Sequence, residues 1–297
     1  MLWMVLACGE GRFEGTLHRD QTYQHDGLER TYHLYEPDST GDRPLVLLLH
    51  GGGGQIDNHI GLGLTDWPHQ VWLDIADEDG LFLVVPQGVD RHWNDCRAEC
   101  TRCPDTDDVG FLLGLLDEVA ASFPVDTSRV YVTGESNGGF MTQRLGQEAP
   151  DRFAGLGVVI ALAPANNDCE AQDVPIPVMF QLGTADEYIP YGGGVGTGDI
   201  HVQSAGETAA YWAGVNGCEG EPTTTTYDDL DPTDGSTVTR SAYTCTGAPL
   251  VVETQQGAGH VAASIEVQVS SVWERLVGPQ NHDVEGARVL WEFFQGD

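Results

Sequence analysis

Short hydrophobic runs alternate with segments of helical periodicity along most of the chain. The runs predict β-strands at Thr31–Tyr35, Pro44–His50, Leu81–Val85, Arg129–Thr133, Leu156–Leu162, Val178–Leu182 and Val251–Thr254. The periodic segments predict helices at Asp107–Phe123, Asn137–Glu148, Glu207–Val215 and Ala287–Phe294. Strands that alternate with helices in this way favour a mainly parallel sheet covered by helices.

Two segments depart from this pattern. Thr31–Tyr35 alternates between polar and apolar residues, which is typical of an edge strand. Residues 219–247 are rich in Thr, Asp and Pro, and they predict an exposed hairpin or loop. The aspartates at 228–234 within it do not have the spacing of a calcium-binding loop, so a solvated acidic loop is the better interpretation.

One predicted strand-to-helix turn contains a candidate nucleophile. The motif Gly134-Glu135-Ser136-Asn137-Gly138 lies between the strand RVYVT and the helix GGFMTQRL. A G-x-S-x-G motif in this context forms a sharp turn that places the serine hydroxyl above the sheet, at the positive end of the next helix. We therefore expect Ser136 to be a nucleophile.

A serine nucleophile needs a base and an acid, which follow it in the order acid, then histidine, in this architecture. His260 lies in a glycine-rich loop directly after a predicted strand, whereas His201 and His282 lie in polar stretches without that context. Asp186 comes just after the strand Val178–Leu182. We expect His260 to act as general base and Asp186 to orient it.

The glycine run after the strand Pro44–His50 has a separate predicted role. A His-Gly-Gly-Gly sequence in this position supplies a backbone N–H to an oxyanion hole, the second donor being the residue after the nucleophile. The pattern therefore assigns Gly52 or Gly53, together with Asn137, to this hole. We expect His50 to close the loop through a hydrogen bond.

The charge of the chain excludes some partners. Its 46 acidic residues and 13 basic ones, all of them Arg, give a formal net charge of −33. Such a surface repels phosphate backbones, so nucleic-acid binding is excluded, and anionic membranes are disfavoured. Beyond residue 10 the sequence contains no apolar run of the roughly 18 residues that a bilayer-spanning helix needs.

The N-terminus and the cysteines indicate an exported protein. Val5-Leu6-Ala7-Cys8 is similar to a bacterial lipobox, so we expect residues 1–27 to form an export or lipoprotein-like leader with a possible lipid anchor at Cys8. The expected location is secreted, periplasmic or on the bacterial cell surface. The six other cysteines predict three disulfides, whose pairing among Cys96, Cys100, Cys103 and Cys169 stays open; a zinc site in the same run is disfavoured because no second ligand pair is present.

Several segments together resemble the polyhydroxybutyrate-depolymerase and feruloyl-esterase-like branch of the α/β-hydrolases, the broad group of carbohydrate esterase family one. They occur in the family order: LLLHGGGG, DGLFLVVPQGVDRHWNDC, DDVGFLLGLLDEV, SRVYVTGESNGGFMTQRL, PVMFQLGTADEYIPYGGG, WAGVNGC, GAGH and RVLWEFF. The resemblance implies a single α/β-hydrolase domain over residues 28–297, with a mostly parallel central sheet and helices on both faces.

The resemblance also implies roles for individual residues. Ser136, Asp186 and His260 would be the catalytic residues, and Gly52 and Asn137 would form the oxyanion hole. Trp93 would line the acyl side of the cleft with Gly53 as a further substrate-binding residue, Cys218 would pair with Cys245, and no metal or organic cofactor is implied. Asp107 and Asp108 are expected to cap a helix rather than to act in catalysis.

The function expected is a serine carboxylic-ester hydrolase that works through an acyl-enzyme. The substrates that the resemblance implies are short-acyl esters, polyhydroxyalkanoate-type polyesters, or feruloyl and acetyl esters of polysaccharides. The alternatives are a noncatalytic carbohydrate- or polymer-binding protein of the same fold, and a serine peptidase. Where the family's histidine loop continues with Thr-Trp-Pro, this chain has Val261-Ala262-Ala263, and residues 266–279 are a local elaboration.

Overall fold

A computed structural model describes residues 13–296. Its strands are β1 Thr16–His25, β2 Leu28–Glu36, β3 Arg43–Leu49, β4 Phe82–Pro86, β5 Val125–Glu135, β6 Gly155–Val159, β7 Val178–Gly183, β8 Gly194–Gly196, β9 Ile200–Val202, β10 Thr223–Thr226, β11 Thr237–Tyr243 and β12 Leu250–Gln256. Its α-helices are α1 Ile56–His59, α2 Val71–Asp79, α3 Asp108–Ser122, α4 Asn137–Glu148, α5 Ala205–Asn216, α6 Ser271–Val277 and α7 Gly286–Gln295.

Ten of these strands form one central sheet, in the order β1-β2-β4-β3-β5-β6-β7-β12-β11-β10. The six strands from β4 to β12 in that order are parallel, and the two strands at each end pair in antiparallel fashion. The prediction of a mostly parallel sheet is therefore confirmed. A separate short hairpin joins β8 and β9.

Helices cover both faces of the sheet, as predicted. Along β3 the side chains of Leu45, Leu47 and Leu49 pack into a core with α3, α4 and α5, whereas Val46 and Leu48 pack into a second core with α2 and α7. Side chains of a strand alternate between the two faces, so a strand buried on both must be apolar throughout. This requirement explains the uninterrupted run LVLLL.

Two predictions about the first strands are wrong. The segment Thr31–Tyr35 lies in β2, which is bounded by β1 and β4 and is not an edge strand. β2 pairs over most of its length with β1 (Thr16–His25), which belongs to the same sheet, so the α/β domain begins before residue 28. The expected leader of residues 1–27 therefore includes a strand of the domain, and its lipobox, with Cys8, lies outside the described residues.

The hairpin predicted within residues 219–247 is confirmed: β10 pairs with β11, which joins the central sheet through β12. The structure also settles the disulfides. Cys218 pairs with Cys245, as the resemblance implied, and the four cysteines whose pairing the sequence left open form Cys96–Cys169 and Cys100–Cys103.

Candidate active site

The carboxyl ends of the parallel strands bring three predicted residues together. Ser136 follows β5, Asp186 follows β7 and His260 follows β12. His260 Nε2 lies 2.9 Å from Ser136 Oγ, and His260 Nδ1 lies 2.6 Å from Asp186 Oδ2. The tautomer that satisfies both contacts has the serine hydroxyl donating to Nε2 and the Nδ1–H donating to the carboxylate.

The turn at Ser136 is strained and tightly packed. Ser136 has φ of 51°, in the left-handed region that few residues other than glycine adopt. The neighbouring glycines are required by space: a Cβ at Gly138 would overlap the carbonyl oxygen of Leu49, and one at Gly134 would overlap the carbonyl of Gly138. The result is a half-buried serine that lines the cavity at the N-terminus of α4, where the helix dipole favours negative charge.

Asp186 is held in place by backbone donors. Its carboxylate is buried, and the oxygen that does not face His260 accepts the N–H groups of Tyr188 and Ile189, each at 2.8 Å. These two bonds fix the orientation of the carboxylate toward the imidazole. The ring of Tyr188 also stacks on His260, with the ring centroids 5.0 Å apart.

The loop that carries His260 is braced from two sides. A Cβ at Gly183, the last residue of β7, would overlap the carbonyls of Ala258 and Gly259. The N–H of Gly259 donates to the carbonyl of Pro279, just beyond α6. The segment of residues 266–279 thus supports the histidine loop, which its sequence alone did not indicate.

The predicted glycine run lies beside the serine, since a Cβ at Gly51 would lie 3.5 Å from Cβ of Ser136. The N–H of Gly53 donates to the carbonyl of Arg91 (2.8 Å) and that of Gly54 to Gly51 (2.9 Å), which leaves Gly52 as the candidate donor of the two that the sequence proposed. A Cβ at Gly52 would lie 3.6 Å from Cβ of Asn137, so the two expected donors are neighbours. Gly53, with φ of 79°, lines the adjacent cavity.

His50 closes this loop as expected. It is buried, its Nδ1 donates to the carbonyl of Gly51 (2.8 Å), and its Nε2 accepts the N–H of Gly88 (3.0 Å). Burial lowers the pKa of His50 to about 4, so the ring is neutral near pH 7. The glycine loop is therefore tied to the end of β4 by an uncharged imidazole.

Trp93 does not line the cleft, in contrast to the expectation from the resemblance. Its side chain is fully buried and is not part of the cavity wall. Its indole Nε1 donates to the carbonyl of His50 (2.9 Å), and its backbone N–H donates to Asn137 Oδ1 (2.7 Å). The buried ring packs against His50, with the ring centroids 4.9 Å apart, and so lies behind the glycine loop instead of in the cavity.

The expected caps of α3 behave differently from each other. Asp107 accepts the N–H of Gly110 at 2.9 Å and is a helix cap, as predicted. Asp108 is buried, forms an ion pair with Arg30 (2.8 Å) and accepts the N–H of Asn94 (2.7 Å). It therefore anchors the loop that follows Trp93 rather than capping the helix.

A cavity of about 620 Å³ lies over Ser136 and His260. Its wall contains aromatic and charged side chains that sequence reasoning missed, among them Trp67, Trp273, Tyr188, His92, Arg97 and Arg102. Trp67 and Trp273 meet edge to face at 5.8 Å, although 206 positions separate them in the chain. Trp273 comes from α6, within the local elaboration, so that segment supplies one wall of the cavity.

Glu135, which precedes the serine, is buried beside His59, His69 and Trp67. Burial raises the pKa of the Glu135 carboxyl, but His69, His59 and the indole N–H of Trp67 together lower it further, to about 2. A negative charge therefore lies directly behind the nucleophile. No motif in the sequence pointed to this cluster.

No protein-family model matches the chain. Among curated proteins, a poly(3-hydroxybutyrate) depolymerase from Ralstonia pickettii is 32% identical over 210 residues, which cover 65% of this chain and 41% of the relative. Feruloyl esterase B from Piromyces equi is 32% identical over 133 residues, covering 40% of this chain and 24% of the relative. The chain thus aligns with less than half of the length of each of these two relatives.

Solved structures share the fold. An acetyl xylan esterase from Aspergillus awamori superposes with a TM-score of 0.59, at 16% identity over 88% of this chain and 98% of the other. An S-formylglutathione hydrolase from Agrobacterium tumefaciens gives a TM-score of 0.57, at 15% identity over 98% and 99%. The chain has the α/β-hydrolase fold and is similar in sequence to a poly(3-hydroxybutyrate) depolymerase and a feruloyl esterase. At such low identities the solved structures show the fold of the chain and nothing about its activity.

Proposed function

We propose that the chain is a serine carboxylic-ester hydrolase. The observation that carries this proposal is the continuous hydrogen-bond chain from Ser136 through His260 to Asp186 at the floor of an open cavity. A noncatalytic relative would need neither the strained serine nor a buried acid fixed by two backbone amides. The sequence relatives, named as a depolymerase and an esterase, support the same reaction class.

The proposed reaction begins with attack on the ester carbonyl. Ser136 Oγ forms a bond to the carbonyl carbon while its proton passes to His260 Nε2, and the oxyanion is stabilised by the N–H groups of Gly52 and Asn137. Collapse of this intermediate breaks the bond to the alcohol oxygen, which takes the proton from His260. An acyl group is then left on Ser136.

Water completes the cycle. His260 removes a proton from a water molecule as that water attacks the acyl carbon, and it then returns the proton to Ser136 Oγ as the free acid leaves. Throughout both halves Asp186 stabilises the imidazolium through the 2.6 Å contact with Nδ1. The strained turn keeps the hydroxyl exposed at the cavity floor for each attack.

The cavity supports an ester with an extended or aromatic acid part. The edge-to-face pair Trp67 and Trp273 gives the cavity an aromatic wall, and Trp273 keeps 38% of its surface exposed. Aromatic walls of this kind bind aromatic rings or the methylene stretches of a polyester. We therefore propose feruloyl polysaccharide esters and hydroxyalkanoate oligomers as the substrate classes that this wall favours, and we keep acetyl polysaccharide esters because the family resemblance implies them.

We also propose that the protein is exported from the cell. Three disulfides favour an oxidising compartment, and the lipobox-like segment at Cys8 favours export with a lipid anchor. Within residues 13–296, none of the helices has the length and apolar character needed to cross a bilayer. Labelling of expressing cells with a radioactive fatty acid, comparing the wild type with Cys8→Ser, tests the anchor.

A substrate panel tests the proposed activity. We expect the wild type to hydrolyse p-nitrophenyl acetate and butyrate together with at least one of methyl ferulate, acetylated xylan and hydroxybutyrate oligomers. Ser136→Ala should lose this activity, whereas Ser128→Ala, at an exposed serine outside the cavity, should retain it. Equal rates in wild type and Ser136→Ala would overturn the proposal, and release of amine from peptide anilides without ester turnover would favour a peptidase.

A further inference from the structure

Three buried side chains meet behind the nucleophile turn. His59 ends α1, His69 lies in the 3-10 turn Pro68–Gln70, and Glu135 ends β5. Their exposed fractions are 4%, 2% and 6%, and one ligand-type atom from each lies within 4.8 Å of the others. Two imidazoles and a carboxylate are a common ligand set for zinc.

The contacts among these groups are unlike those of a hydrogen-bonded cluster. His69 Nε2 lies 3.2 Å from Glu135 Oε2, yet within the described residues this buried nitrogen has no hydrogen-bond partner. His59 Nδ1 lies 3.6 Å from Glu135 Oε1, and His59 Nε2 is likewise buried without a partner there. Buried imidazole nitrogens are rarely left unpaired, because each loses its hydrogen bonds to water.

The same spacing suits a tetrahedral cation. With ligand distances near 2.0–2.2 Å, two ligand atoms of a tetrahedral zinc site lie about 3.3–3.6 Å apart. Each imidazole has one nitrogen at about this distance from a carboxylate oxygen, His69 Nε2 from Oε2 (3.2 Å) and His59 Nδ1 from Oε1 (3.6 Å), and one ligand atom of each residue lies within 4.8 Å of the others. We propose that His59, His69 and Glu135 bind a divalent transition-metal ion, Zn²⁺ being the ion whose ligand preferences fit best.

A supporting contact orients the carboxylate. The indole Nε1 of Trp67 donates to both oxygens of Glu135, at 2.8 and 2.9 Å. Metal-ligating carboxylates are held by hydrogen bonds of this kind. His59 and Glu135 also contribute to the wall of the cavity above Ser136, which gives an ion a route to the site.

Two other groups of potential ligands occur in the described part of the chain, and both are weaker candidates. In the group of Asp95, Cys100 and Cys103, the two sulfurs are joined in a disulfide and are not available as thiolates. In the group of Asp231, Asp234 and His282, all three residues are only half-buried, and His282 Nδ1 already lies in hydrogen-bond contact with Asp231 Oδ2 (3.4 Å).

The bound ion would stabilise one wall of the cavity. Residues 55–70 connect the glycine loop to α2, and the side chain of Leu64 at their tip is fully exposed. An ion shared by His59, His69 and Glu135 would fasten this segment, with Trp67, to the strand that ends at the nucleophile. The effect is expected on the position of the wall rather than on the chemical step.

Metal binding can be measured without reference to activity. Chelator-treated wild type should take up one equivalent of Zn²⁺ in a calorimetric titration and unfold at a higher temperature when the ion is present. His69→Gln and His59→Gln should lose this uptake. His282→Gln, which alters the other histidine-containing group, is the matched control and should keep it.

Two titration results would contradict the proposal, and the absorption spectrum of bound Co²⁺ decides the case in which a variant does not fold. No uptake by the wild type, or loss of uptake in His282→Gln in place of His69→Gln, would overturn it. If the His69 variant does not fold, Co²⁺ in the wild type gives the answer. The intense visible absorption of four-coordinate Co²⁺ with imidazole ligands supports the site, and the weak spectrum of an all-oxygen octahedral ion contradicts it.

Discussion

The side chain of Asn137 donates through Nδ2 to the carboxylate of Asp95 at 2.6 Å. Asn137 directly follows the nucleophile, whereas Asp95 lies in the loop between β4 and α3. Asn137 Oδ1 in turn accepts the backbone N–H of Trp93 (2.7 Å). The residue expected to stabilise the oxyanion through its main chain is thus held by its side chain, in a fully buried network.

This relationship makes Asp95 a positioning residue. Replacing Asp95 with Asn would weaken the charged hydrogen bond that orients Asn137, and we expect kcat for p-nitrophenyl butyrate to fall by about 10–100-fold with KM little changed, since loss of a whole oxyanion donor costs about 10²–10³. Asp105→Asn, a neighbouring aspartate outside the cavity wall, is the control. An increase in KM at constant kcat would show that Asp95 supports binding instead.

Asp186 should affect kcat by holding the imidazole of His260 in the tautomer that accepts the serine proton. Asp186→Asn keeps the size of the side chain but reverses the hydrogen-bond preference at His260 Nδ1, which favours the tautomer that cannot accept the serine proton. We expect kcat to fall by on the order of 10⁴-fold. Steady-state kinetics with the same ester checks the value, and an unchanged kcat would mean that another carboxylate orients His260.

The disulfides should differ in their effect on stability. Cys218–Cys245 closes 27 residues and Cys100–Cys103 only three, so the chain-entropy model gives about 3.5 kcal/mol for the first and about 1.5 kcal/mol for the second. Denaturant unfolding of the paired serine variants, Cys218→Ser with Cys245→Ser against Cys100→Ser with Cys103→Ser, measures both. A larger loss from the shorter loop would contradict this order.

The lowered pKa of His50 should make the free energy of unfolding decrease in acid. Its pKa is about 4 in the folded protein, because of burial, and near 6.5 when unfolded. Between these values the unfolded chain binds a proton that the folded chain does not, so the free energy of unfolding decreases as the pH falls from 6.5 to 4, by about 3 kcal/mol in total. A proton on Nε2 would face the N–H of Gly88.

Denaturant unfolding at pH 7 and pH 4.5 tests this contribution. The difference between the two free energies should be smaller in His50→Gln than in the wild type, and His201→Gln, at a histidine of the separate β8–β9 hairpin, should behave as the wild type does. Equal differences in wild type and His50→Gln would show that His50 is not responsible.

The pattern of hydrophobic residues was sufficient to predict the central strands and helices of the fold. β3, β7 and α4 fall close to where the sequence predicts them, because strands buried on both faces are continuously apolar and α4 begins at the G-x-S-x-G turn. β1 and α2 were not predicted. β1 is an end strand with mostly polar residues, and the apolar residues of α2 cluster in its first six positions, so neither has a clear period.

The site was predictable to the same extent. Ser136, Asp186 and His260 each lie within four residues of the carboxyl end of a parallel strand, so their position in the chain places them at one edge of the sheet. Side chains on longer loops carry no such signal. The burial of Trp93 and the meeting of Trp67 with Trp273 depend on the paths of loops, which local sequence patterns do not specify.

The central claim is that Ser136 is a nucleophile activated by His260, and covalent labelling tests it most directly. The protein is treated with a fluorophosphonate, its intact mass is measured, and the labelled peptide is located. We predict one adduct per chain, on Ser136, formed rapidly in the wild type and Ser128→Ala, slowly in His260→Ala and not at all in Ser136→Ala. An unlabelled wild type, or an adduct on another residue that persists in Ser136→Ala, would contradict the claim.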